Sequence, residues 1–175
     1  MNAIHPELAA FLESGLSVLV GTRDARNRPH SLRAMGARVE DEGRELTVFL
    51  PDATAGPNLA DLRETSRIAV TFCLPRDHRS VQIKGEVRSV TRAAPADHAV
   101  LDAYVRAFGH ELMFVGVPTR VVQRMAAWPC HAVRLRVESV FEQTPGPGAG
   151  AQLGAGDTIS AVRNVGGPHV SGGAP

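Results

Sequence analysis

Apolar and polar side chains alternate through two neighbouring stretches of the chain. Ile68, Val70, Phe72 and Leu74 hold the even positions of the first, and Val81, Ile83 and Val87 the odd positions of the second. Ser80, Gln82, Lys84, Glu86 and Arg88 share the other face of the second stretch. A period of two predicts half-buried antiparallel strands, and Pro75-Arg76-Asp77-His78 between them predicts their turn. A polar strand face of this length is either solvated or turned toward a ligand.

The same reading extends in both directions. Ile4, Leu8, Phe11 and Leu12 predict a short helix, with Pro6 in its first turn and Gly15 as its stop. Residues 16–23 predict a strand, 24–28 a turn, and 29–40 a second strand opening at Pro29. Asp41-Glu42-Gly43-Arg44 predicts a tight hairpin turn. Residues 45–50, apolar at Leu46, Val48 and Leu50, return as the third strand. After a loop over 51–56, Pro57 opens a helix that turns Leu59 and Leu62 inward and ends near Thr65. Residues 94–108 predict an amphipathic helix through Leu101, Tyr104, Val105 and Phe108, ended by Gly109; residues 110–117 show no clear pattern. Pro118 opens another helix with Val121, Met125 and Trp128 on one face, Met125 and Trp128 reading as core. Residues 130–142 form the sixth strand.

The predicted fold class is mainly β (α+β): a six-stranded antiparallel barrel with flanking helices, because closure is the simplest way to remove sheet edges. Beyond Gln143 the chain is dense in Gly, Pro and Ala and has almost no large apolar residues. Such a segment buries too little surface to offset the entropy of ordering it. The expectation is one domain over 1–142 and an extended tail over 143–175.

Net charge is +1, with no basic block and few aromatics, so no nucleic-acid partner is expected. No apolar run approaches the roughly 20 residues that span a bilayer. The first residues do not pattern as a secretory signal. Cys73 and Cys130 fall on separate strands without metal-ligand spacing. They read as two buried thiols of a cytoplasmic protein, a disulfide being the alternative. There is no His-x-x-x-His, Cys-x-x-Cys, Gly-x-Ser-x-Gly or Gly-x-Gly-x-x-Gly pattern; no metal site is expected, and the sequence names no catalytic acid or base.

Three stretches resemble the pyridoxamine-5′-phosphate-oxidase-like FMN-binding split-barrel family. Arg33-Ala34-Met35-Gly36-Ala37-Arg38 is similar to the family's R-x-V-L-L-K strand, whose basic ends and backbone hold the flavin phosphate and ring. Gly56-Pro57-Asn58-x-x-x-Leu62 stands in the place of its S-R-K-x-x-x-L helix start. Arg79-Ser80-Val81-Gln82-Ile83-Lys84-Gly85 is similar to its R-Q-V-R-I-x-G strand. The order of predicted elements also matches, over roughly residues 5–142. The resemblance implies a split barrel, FMN as cofactor, oxidoreductase chemistry and a homodimer that shares the flavin site.

The implied cofactor contacts are Arg33, Ala34, Met35, Arg38, Thr54, Asn58, Ser80, Gln82 and Lys84. Arginine offers a planar fork for a phosphate dianion. Arg38 lies five residues beyond Arg33, so a flat strand would turn it to the opposite face; a bulge at Gly36 would restore the face. A helix start at Pro57 aims backbone N–H groups at an anion. Thr54 either donates to the ligand or caps the helix. Ser80, Gln82 and Lys84 share a face within reach of the ring or ribityl chain. Pro57-Asn58 replaces the family's Arg-Lys, which removes two cations from the clamp; Arg63, Arg67 and Arg79 are the candidates to compensate. The tail shows no counterpart of the C-terminal segment with which the oxidase branch grips pyridoxal phosphate, so vitamin B6 oxidation is not expected. Three other readings stay open: a non-catalytic flavin- or phosphate-binding sensor, a cofactor-less structural dimer, and a pocket for a deazaflavin or haem.

Overall fold

The run over residues 29–40 does not form one strand. It breaks at Met35–Gly36 into β2 (Pro29–Ala34) and β3 (Ala37–Glu40), and the two halves join different neighbours. Gly36 adopts φ +106°, and a Cβ on it would stand 2.9 Å from the Tyr104 ring, so this corner calls for glycine on both counts. Backbone bonds from Met35 N to Phe49 O (2.8 Å) and from Phe49 N to Gly36 O (3.2 Å) pin it to the next strand.

The computed structural model describes residues 3–122, 124, 125, 128–154 and 157. The remaining strands are β1 (Ser17–Arg23), β4 (Glu45–Pro51), β5 (Arg67–Cys73), β6 (Ser80–Arg92), β7 (Cys130–Glu142) and β8 (Gln152–Leu153). The helices are α1 (Pro6–Leu12), α2 (Gly56–Thr65), α3 (His98–Phe114) and α4 (Thr119–Val122). Every pairing is antiparallel, in the order β2-β1-β5-β6-β7-β4-β3, with β8 added beside β7. The two end strands, β2 and β3, are joined only through the Met35–Gly36 corner; among the described residues no ladder links them. The sheet curls without closing, which is a split barrel. The strand count is eight rather than six because the second predicted strand divides and β8 is added.

The inward face carries the core. Val18 and Val20, Val70 and Phe72, Val81 and Ile83, Leu46, Val48 and Leu50, and Val133 and Leu135 are all essentially inaccessible. These are the positions that the period-two pattern assigns inward. β4 is buried on both faces, since Thr47 and Phe49 are enclosed as well.

Two helices depart from expectation. α3 continues through Gly109 to Phe114 and ends before Gly116, at φ +82°. A mid-helix glycine costs about 1 kcal/mol against alanine, but here Gly109 is buried against Val122 of α4, 3.4 Å from where its Cβ would sit. Packing outweighs propensity at that point. The helix after Pro118 spans only four residues, and Trp128 is not core: it is 39% exposed and stacks on His98 at 3.8 Å between ring centroids.

The folded body runs past Glu142 into the stretch expected to be tail. Thr144 is buried and accepts a 3.1 Å bond from Ser80 N, and Gln152–Leu153 pairs with Val140 and Phe141. Residues 155, 156 and 158–175, the rest of the expected tail, lie outside the described residues. Cys73 and Cys130 are free thiols. Among the described residues no helix is long and apolar enough to cross a membrane.

Candidate functional site

The antiparallel register lays the outward side chains in rows across four strands. One row is Leu19, Thr71, Gln82 and Phe141; the next is Gly21, Ala69, Lys84 and Ser139. Gly21 and Ala69 put almost no side chain into the second row. A Cβ on Gly21 would have only Ala69 O within contact range, at 4.0 Å. The result is a groove of about 540 Å³ with a floor of small residues and a rim that includes Arg23, Asn27, Arg67, Lys84 and Glu138.

The rim is cationic. Arg67 pairs with Glu138 at 2.7 Å. The Arg23 guanidinium donates to the Asn27 side-chain oxygen at 2.6 Å, and Lys84 lies over the Phe141 ring at 4.8 Å. Neither forms an ion pair with a carboxylate among the described residues. Three cations against one acid leave a net positive groove, and its volume falls within the usual range for small-ligand sites. Donors of this kind fit a phosphate group.

The nine predicted residues do not converge on one point. Arg33 and Arg38 do face the same side, both against α3, because the corner at Gly36 restores the face. They lie against different parts of the helix, however. The Arg33 guanidinium sits over Phe108 at 5.2 Å and reaches Ser17 Oγ at 3.2 Å. Arg38 binds Asp97 and Glu40, each at 2.7 Å. Asp97 precedes α3 and Phe108 lies toward its C-terminal end, so separate partners hold the two guanidinium groups. Burial alone would raise the Asp97 pKa, but the hydrogen bonds from Arg38 and from Ala94 N outweigh it and hold the carboxyl below its usual range. Ala34 and Met35 are buried.

Asn58 is also engaged inside the fold. Its Nδ2 donates to Thr22 Oγ1 (2.9 Å) and His30 O (3.2 Å), while Thr22 Oγ1 donates to the buried Asp61 carboxylate at 2.6 Å. His30 Nδ1 meets the same carboxylate at 2.9 Å. The inward face of α2 is therefore half polar, and this network docks it on β1 and β2. Thr54 is exposed, and α2 has no side-chain cap. Ser80 is buried under the Thr144 segment and donates to His78 O at 2.7 Å. Gln82 bonds Thr71 at 3.1 Å. Of the nine, Arg33, Ser80, Gln82 and Lys84 have the outward parity of the face that forms the groove, Arg33 as the register partner of Leu19, and Lys84 lines the groove itself. Of the compensating arginines, Arg67 lines it too, whereas Arg79 pairs with Asp77 at 2.8 Å. Arg23 and Asn27 were not anticipated. The signal was present in β1, where Leu19, Gly21 and Arg23 share the outward parity.

An open antiparallel barrel of this kind, here with a cationic groove across its outer face, is a split barrel. The family model for pyridoxamine 5′-phosphate oxidase matches residues 4–144, and the chain belongs to that family. Two solved structures share the fold. HupZ from Group A Streptococcus is 18% identical, with a TM-score of 0.52, 84% of this chain and 99% of that chain covered. A candidate pyridoxamine 5′-phosphate oxidase from Lactobacillus delbrueckii is 17% identical, with a TM-score of 0.52 and coverages of 81% and 95%. A search of curated proteins returns no match.

Proposed function

We propose that this chain binds FMN, with its phosphate in the outer-face groove, and acts as a flavin-dependent oxidoreductase. The observation that carries the reading is the pair Arg23 and Lys84, two cations on one groove that no carboxylate among the described residues neutralises. Membership of the family supports the choice of FMN over other phosphate ligands. When bound, the flavin supplies the electron-transfer chemistry. The chain's own residues bind and orient. Lys84 gives a point charge and Arg23 a planar fork that Asn27 keeps aimed. Arg67 is steadied by Glu138, and Gly21 and Ala69 leave room for the ligand's body.

The reading includes a cytoplasmic homodimer. Its support is the outer sheet face, where Leu19 is 48% exposed in a row with Phe141; apolar surface beside a ligand groove is a common subunit contact. A sedimentation mass of one chain would remove that part.

The test compares FMN with riboflavin, which lacks the phosphate. Arg23→Ala and Lys84→Ala are each expected to weaken FMN roughly 10- to 100-fold, the worth of one charge-assisted hydrogen bond, and to leave riboflavin nearly unchanged. Arg33→Ala is the control. If it alone weakens FMN selectively, the phosphate lies against α3 instead. A second reading, a structural dimer without cofactor, is favoured by the engagement of Arg38 and Asn58 inside the fold. Protein that stays colourless after FMN loading and desalting would select it.

A further inference from the structure

A second depression, of about 410 Å³, lies between α2 and the paired ends of β6 and β7. Leu59 and Arg63, one turn apart on α2, form one wall; Val90, Thr91, Arg92 and His131 form the other. Arg92 and His131 are register partners. One carboxylate holds both: Asp52 Oδ1 meets His131 Nε2 at 2.6 Å, and Asp52 Oδ2 accepts from Arg92 Nη1 at 2.9 Å. Asp52 is itself fixed, since its N–H donates to Pro129 O at 3.0 Å. Arg92 and then His131 hold its carboxyl below the usual range. Arg63 has no ion-pair partner among the described residues. Arg63 and Arg92 together exceed the charge of Asp52, so the depression is net positive. The Thr91 hydroxyl is a further donor, and Leu59 with the 42%-exposed Val90 supplies an apolar wall.

We infer that this depression is a second anion site, which takes a small phosphomonoester: the phosphoryl group against Arg63 and Arg92, a short carbon body against Leu59 and Val90. Fixed cations, a hydroxyl donor and an apolar side wall are the elements that such a ligand requires. Asp52 does not cancel the site, because each arginine has more donors than Asp52 engages. The site shares no residue with the outer-face groove and stands or falls apart from FMN binding.

The experiment is a backbone-amide NMR titration of the full chain with inorganic phosphate and then glycerol 3-phosphate. Saturable shifts are expected at Leu59, Arg63, Val90, Thr91, Arg92 and His131, with glycerol 3-phosphate the tighter ligand. Arg63→Ala removes no internal contact, so the fold should persist while affinity falls roughly 10- to 100-fold. Lys84→Ala should leave this binding unchanged. Absence of saturable shifts there, an unaffected Arg63→Ala variant, or shifts confined to Gly21, Ala69 and Lys84 would each overturn the inference. FMN retention is read separately by visible absorbance, so failure of one site is not failure of the other.

Discussion

Tyr104 is the chain's one tyrosine, and it is enclosed. Its hydroxyl donates to Leu16 O at 2.9 Å, and its ring stacks on Phe108. Burial pushes the phenol up to about 12. An unfolded tyrosine titrates near about 10. The folded value is the higher one, so its contribution is complete below about pH 10 and is lost as pH rises toward 12; at about 1.4 kcal/mol per unit this amounts to about 3 kcal/mol. A tyrosinate absorbance titration should show ionisation only near pH 12 or together with unfolding. Ionisation near about pH 10 with circular dichroism unchanged would mean that the phenol is open to water. At this scale the sequence was informative about residue type and poor about partners. Arg38 and Asn58 read as ligand contacts because their partners are distant: Asp97 lies 59 positions from Arg38, and Thr22 lies 36 from Asn58. Polarity is local information, but what satisfies it is settled by the tertiary fold.

Elements were more legible than single contacts. Alternation located the first strand and the two on either side of Pro75 closely, because a half-buried strand must alternate. It did not reveal the division at Met35–Gly36, since both halves remain extended and only the pairing partner changes. The helix that runs through Gly109 was shortened in the reading because propensity is local and α4 packing is not. Gly85 shows how one position governs a pairing. A Cβ there would stand 2.1 Å from Arg136 O, at the register shift between Lys84 and Gly85. Gly85→Ala should therefore destabilise the β6–β7 ladder by about 1–3 kcal/mol, the usual cost of overpacking. Chemical denaturation measures this; a change within error would mean that the bulge absorbs a methyl group freely.

The whole molecule carries its cationic groove on the outer face of the sheet. Gly21→Leu separates the groove from the fold that carries it. The new side chain meets little protein, so thermal stability should hold to within about 1 kcal/mol, while FMN retention is lost because the groove is filled. Loss of stability with retention intact would show that Gly21 serves the sheet and not the ligand. The groove was only partly legible, since it arises from register: four strands must align before Gly21, Ala69, Lys84 and Ser139 become neighbours, and no single strand announces that row. The pairing of Arg92 with His131 has a different bearing. Residues 93–129 leave the sheet at one point and return to it at the neighbouring position. All of α3 and α4 is thus the loop of one wide hairpin. Loop-closure entropy grows only logarithmically with length, so lengthening this excursion away from its buried anchors Leu101, Tyr104 and Phe108 costs the barrel little. It is the place where descendants of this chain can acquire new surface without relearning how to fold.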